Sequence, residues 1–99
     1  MSLHVSMPAV SRVVCTNANT EYSVALPKNA AEIRVQARAA DVRIAFDHTG
    51  EVADAAVGIF WTVKAAQPPH IFGSWATPPR TLYVASTTGG AVLEVLVRS

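Results

Sequence analysis

Apolar residues recur along this chain with period two rather than 3.6, most plainly in Glu32-Ile33-Arg34-Val35-Gln36-Ala37-Arg38. Ile33, Val35 and Ala37 fall on one face of an extended segment, and Glu32, Arg34, Gln36 and Arg38 on the other. This pattern predicts a strand with one wet face. The run Val42 to Phe46 repeats it, with Val42, Ile44 and Phe46 inward. Ala39-Ala40-Asp41 between the two is short enough to read as a hairpin connection.

Further strands are expected over Arg12 to Thr16, Tyr22 to Leu26, Gly58 to Lys64, Ile71 to Trp75, Thr81 to Ala85 and Ala91 to Arg98. They are separated by turn chemistry: Asn17-Ala18-Asn19, Pro27-Lys28-Asn29, His48-Thr49-Gly50, Gln67-Pro68-Pro69, Thr77-Pro78-Pro79 and Thr87-Thr88-Gly89-Gly90. The Ala-rich stretch Gly50 to Val57 is too short to stand alone as a helix and reads as a loop. About seven to eight short strands so spaced predict an all-β fold, a small antiparallel β-sandwich of jelly-roll-like type, with a small barrel as the neighbouring solution. Residues 12–99 form the sandwich domain and residues 1–11 an extended N-terminal arm. That arm is either a frayed end or a segment that adds to a neighbouring subunit by strand pairing or wrapping. The last strand, Val92-Leu93-Glu94-Val95-Leu96-Val97, is apolar at almost every position. It is either central in its sheet or covered on its outer face by something else.

Composition narrows the class. Ninety-nine residues make one domain. With 51% hydrophobic and 15% charged residues the chain is built to fold rather than to stay disordered. A net charge of +1 offers no electrostatic footprint for nucleic acid or for an anionic membrane. No apolar run is long enough to span a bilayer as a helix, and no basic leader precedes one, so a soluble, non-exported chain is expected. The single cysteine, Cys15, cannot form an internal disulfide and reads as a small buried hydrophobe.

Catalytic grammar is thin. His4, His48 and His70 are single and widely separated, without the spacing of a metal site. Asp41, Asp47, Glu51 and Asp54 lack the alternation and glycine of a calcium loop, so a solvated loop is the better account. There is no Gly-x-Ser-x-Gly elbow, and Gly89-Gly90 lacks the rest of a phosphate loop and reads as a hairpin turn. One sandwich of this length leaves little room for a small-molecule pocket of roughly several hundred Å3. The expectation is a non-enzyme with no cofactor and no metal.

The distinctive segment is Phe60 to Arg80, which gathers Phe60, Trp61, Phe72 and Trp75 with Pro68, Pro69, Pro78 and Pro79. Proline-stiffened loops lose less entropy on docking, which suits a contact surface. Trp61 and Trp75 are each either a core aromatic or an exposed one. The expected interaction surface comprises Trp61, Pro68, Pro69, Ile71, Phe72, Trp75, Pro78, Pro79, Val92 and Leu96. Of these, Val92, Leu96, Trp75, Ile71 and Phe72 are expected to be exposed in the isolated chain.

Two stretches carry a family resemblance: Glu21-Tyr22-Ser23-Val24-Ala25-Leu26-Pro27 followed by Val35 to Phe46, and Thr81 to Val97, with Trp61-Thr62-Val63-Lys64-Ala65 between. Over roughly residues 20–98 the chain resembles small virion-associated proteins of tailed bacteriophages. It departs from them in the Pro-rich insert Gln67 to Pro79 and in Arg98, where an aromatic residue would be expected. The resemblance implies a non-enzymatic building block of the virion, assembled in the host cytoplasm. A head decoration (cement) protein fits best, bound as a small homo-oligomer to the major capsid protein or other virion proteins. The alternatives are a carbohydrate- or host-surface-binding module using Trp61 and Trp75, and a tail or connector component of the particle.

Overall fold

A computed structural model describes residues 9–73, 75 and 77–98. Among these residues there are eight strands: β1 (Ala9–Cys15), β2 (Tyr22–Ala25), β3 (Glu32–Arg38), β4 (Val42–Phe46), β5 (Trp61–Val63), β6 (His70–Gly73), β7 (Thr81–Ala85) and β8 (Ala91–Arg98). They form two four-stranded antiparallel sheets, in the orders β1-β8-β3-β6 and β2-β7-β4-β5. These interleaved orders are those of a jelly roll, two Greek keys folded into one sandwich. No helix among the described residues is long and apolar enough to cross a membrane.

The period-two pattern becomes burial directly. On β3, Ile33, Val35 and Ala37 are buried while Glu32, Arg34 and Gln36 are only half covered. β8 places Leu93, Val95 and Val97 in the same core, and Val42, Ile44, Leu82 and Val84 meet them from the other sheet. Together with Val13 and Cys15 they make one core between the sheets, dominated by β-branched side chains suited to a pleated surface.

The connections differ from expectation. Ala39-Ala40-Asp41 does not close a hairpin, because β3 and β4 lie in different sheets. The inward residues of β3 and β4 face each other across the core, and Ala39 turns the corner at φ 73°. Gly89-Gly90 likewise carries the chain from β7 in one sheet to β8 in the other, with Gly90 at φ 87°. Among consecutive strands only β4 and β5 pair with one another, and a long loop joins them. A hairpin at 39–41 would put both apolar sets on one sheet and leave the facing sheet without its half of the core.

Boundaries shift as well. β1 begins at Ala9, so residues 9–11 belong to the sandwich and not to an arm; residues 1–8 of that arm lie outside the described residues. β5 is shorter than Gly58 to Lys64, and β6 starts at His70 and ends before Trp75. β8 is central, paired with β1 on one side and β3 on the other. Its outward residues Val92 and Leu96 are half-buried rather than exposed, because Arg38 and Arg34 stand opposite them in register and share that face.

Candidate functional site: an aromatic mouth between two edge strands

β5 and β6 end their respective sheets, and both lie on the same side of the sandwich. Trp61 is paired with Ile44 and Phe72 with Ile33, so both aromatic residues occupy inward-facing positions. Each edge strand is only three or four residues long. No strand lies beyond either of them among those described, so the core side of the sandwich opens to solvent there.

The opening is a groove of about 580 Å3. Its aromatic residues meet edge to face. The Phe46 and Phe72 ring centres are 5.4 Å apart at 72°, Phe46 and Trp75 are 6.2 Å apart at 61°, and Trp61 and Phe72 are 6.2 Å apart at 89°. Such T-shaped contacts set a positive ring edge against a negative ring face and hold the rings in fixed relation. Phe46, Phe72 and Trp75 are half-buried against the core, whereas Trp61 is 54% exposed and Ile59 81% exposed. His70 meets the Trp61 ring at 5.9 Å. The lining includes two ionisable side chains, His48 and Glu51, and one Glu51 oxygen already accepts the Ile59 N–H at 2.6 Å.

The 47–60 loop builds one wall of the groove and is held by polar contacts to backbone. Asp47 Oδ1 accepts the N–H groups of Arg80 and Thr81, both at 2.9 Å; Asp54 Oδ1 accepts the Ala56 N–H; Glu21 Oε1 accepts the Gly50 N–H. The acidic residues of this region thus act as loop ties. Among the described residues no three His, Cys, Asp or Glu side chains converge as a metal site would require.

The loop is also latched from below by Arg43, which the strand pattern leaves as an ordinary outward residue. Arg43 does point away from the core, but the loop covers it and Val52 is buried beside it. Its Nε donates to the Val52 carbonyl at 2.6 Å, Nη1 to Thr87 Oγ1 at 2.7 Å and Nη2 to Asn19 Oδ1 at 2.8 Å. The Phe60 ring lies 5.6 Å from the guanidinium carbon. The guanidinium plane spreads its donors over three nitrogens and so serves three separate segments at once, where a lysine would have to reach all of them from a single nitrogen. Val52 does not stand out in a loop that also holds Ala53, Ala55, Ala56 and Val57, so no sequence signal marks this cover.

The expected surface residues divide accordingly. Trp61 and Ile71 are exposed, the latter by 59% on the outer face of its sheet; Pro68 and Pro69 are exposed too. Phe72 and Trp75 are half-buried, contrary to expectation, and Trp75 Nε1 donates to the Ala30 carbonyl at 2.9 Å. Pro78 is half-buried and Pro79 buried, so the second proline pair is mostly packing. Trp61, Phe72 and Trp75 come together in the groove, whereas Val92 and Leu96 lie on the outer face of β8, in the middle of the sheet that β6 ends. Sequence reasoning missed Phe46 and Ile59 as groove residues, and the 77% exposure of Val57 on the preceding loop. The groove itself corrects the expectation that the sandwich has little room for a pocket, since the space lies at its open edge and not inside the core.

Comparison with protein-family models, with curated proteins and with solved structures finds no match.

Proposed function

We propose that the protein is a non-enzymatic structural component of a bacteriophage virion, a head decoration protein that acts through subunit–subunit contacts. The observation that carries the reading is the aromatic mouth. Ile59 and Trp61 present large apolar side chains to solvent on one contiguous edge, in a chain with few charges to solvate it. Contiguous apolar surface of this kind marks contact sites on small proteins. The resemblance of residues 20–98 to virion-associated proteins supplies the particle. Jelly rolls serve viral capsid and lectin domains alike, so the architecture accommodates this reading without selecting it. The test is cosedimentation with capsids, alongside native mass in solution. A defined homo-oligomer or capsid binding is expected, and a strict monomer that ignores capsids overturns the proposal.

A second reading, a carbohydrate-binding module, is favoured by the exposed Trp61 ring, which offers a stacking platform. Against it stands the scarcity of polar groups in the groove, because sugar hydroxyls need several hydrogen-bond partners when they leave water. Specific glycan-array binding that is lost in Trp61→Ala would establish it over the first.

A further inference from the structure

A second cavity, of about 360 Å3, lies on the outward side of the β2-β7-β4-β5 sheet. Register builds it. Arg43 on β4 is opposite Thr62 on β5 and Ala85 near the end of β7, so Thr87 and Thr88, just past β7, arrive beside Asp41, just before β4. The loop before β5 adds Phe60. Arg43 is the buried member, 5% exposed, and its guanidinium is fixed by Val52, Thr87 and Asn19 through three different nitrogens. A guanidinium has five N–H groups. One on Nη1 and one on Nη2 therefore remain without an acceptor among the described residues, where the ion pairs are Arg34–Glu32 and Arg38–Glu94 and none includes Arg43. Buried donors left unmet cost free energy, and a ligand that accepts from them recovers it.

We infer that this cup binds a neutral saccharide. The chemistry of the lining selects the class. Thr62, Thr87 and Thr88 are exposed, and their hydroxyls both give and accept hydrogen bonds; Thr87 Oγ1, which accepts from Arg43, keeps its own hydrogen to give. Asp41 argues against an anion. Its Oδ1 accepts the Ala65 N–H at 2.8 Å, and its negative charge in the same lining repels a phosphate or carboxylate while accepting readily from a hydroxyl. A polyhydroxylated ligand answers the guanidinium, the threonines and the carboxylate together, and Phe60 gives its apolar face a wall. Small-ligand sites occupy about 300–1,000 Å3, and the cup lies at the lower end of that range. Because Arg43 is already held by three acceptors, little ordering remains to be done on binding. The cup shares only Phe60 with the aromatic mouth, so this site is separate from a sugar platform at Trp61 and from the surface proposed for subunit contacts.

The experiment is an amide chemical-shift titration of the full chain with glucose, galactose, mannose and N-acetylglucosamine, and separately with inorganic phosphate. At least one sugar should move the amides of Thr62, Thr87 and Thr88 and the Arg43 Nε–H, and leave the Trp61 and Trp75 indole N–H signals in place. The double variant Thr62→Val/Thr88→Val keeps the side-chain shapes and touches none of the bonds that hold Arg43. It should raise the dissociation constant for that sugar at least about tenfold, while Trp61→Ala leaves it unchanged. The inference is overturned by silence with all four sugars, by shifts at the indoles in place of the threonines, or by phosphate moving the same residues as strongly as any sugar. Capsid cosedimentation of the double variant should match wild type, so the saccharide site and the virion reading stand or fall separately.

Discussion

Arg43 and Cys15 show how single side chains near one end of the sandwich set its tolerance to change. Arg43 is nearly buried and donates to three segments that are far apart in sequence. Replacing it with Met keeps much of the volume but strands the buried Val52 carbonyl, and a buried group left without a partner costs more than the bond was worth, whereas the exposed Thr87 and Asn19 can turn to water. Arg43→Met should lower stability by about 2–3 kcal/mol in urea denaturation. Cys15 is buried, and burial pushes its thiol pKa up from 9.0, with the Arg43 charge opposing this more weakly. The folded state therefore holds the thiol proton after the unfolded chain has released it, so this contribution is complete below pH 9 and is lost as pH rises beyond it. The thermal midpoint should fall more steeply above pH 9 in wild type than in Cys15→Ala, measured by circular dichroism.

At the scale of elements, the 47–60 loop is the part whose conformation has least slack. A Cβ at Gly58 would lie 1.7 Å from the Glu51 carbonyl oxygen and 2.8 Å from that of Asp54. Both obstacles are backbone, and the Gly58 N–H already donates to the Asp54 carbonyl at 3.0 Å. Gly58→Ala must therefore open the loop, at a cost of about 1–3 kcal/mol. Because Ile59, Phe60 and Trp61 follow directly, the tryptophan fluorescence of the folded protein should shift as well; an unshifted spectrum with wild-type stability would contradict this packing. Nothing in the sequence could announce that role, since it depends on where Glu51 and Asp54 send their carbonyls. The strands themselves were legible, because Ile33, Val35 and Ala37, or Leu93, Val95 and Val97, write their inward face at every second position. Pairing was not legible. Three residues at 39–41 suit a hairpin and a sheet-to-sheet arch equally well, and local turn chemistry is silent on which strand will be the neighbour. The mouth was half legible: Trp61, Phe72 and Trp75 stood out by clustering, but Phe46 and Ile59 join them only through the β4–β5 pairing and the loop before it.

For the whole molecule, the strand orders β1-β8-β3-β6 and β2-β7-β4-β5 mean that nearly every ladder joins segments distant in sequence. The central pairings, β8 with β3 in one sheet and β7 with β4 in the other, both join strands far apart in sequence, and β8 must also find β1 at the other end of the described chain. Chain entropy is then lost over long loops before burial compensates it, and no local hairpin among the described strands can form early except the wide β4–β5 one. The core that compensates is single and continuous across both sheets, so partial structures gain little. Refolding should accordingly occupy roughly milliseconds to seconds, as in other sandwiches dominated by nonlocal pairing, with tryptophan fluorescence and far-ultraviolet circular dichroism recovering together. Trp61 is half-exposed at the rim rather than in that core, so Trp61→Ala should change the folding and unfolding rates little. Recovery complete within the stopped-flow dead time would contradict the slow nonlocal assembly, and a Trp61→Ala chain that folds much more slowly than wild type would place the mouth inside the folding nucleus.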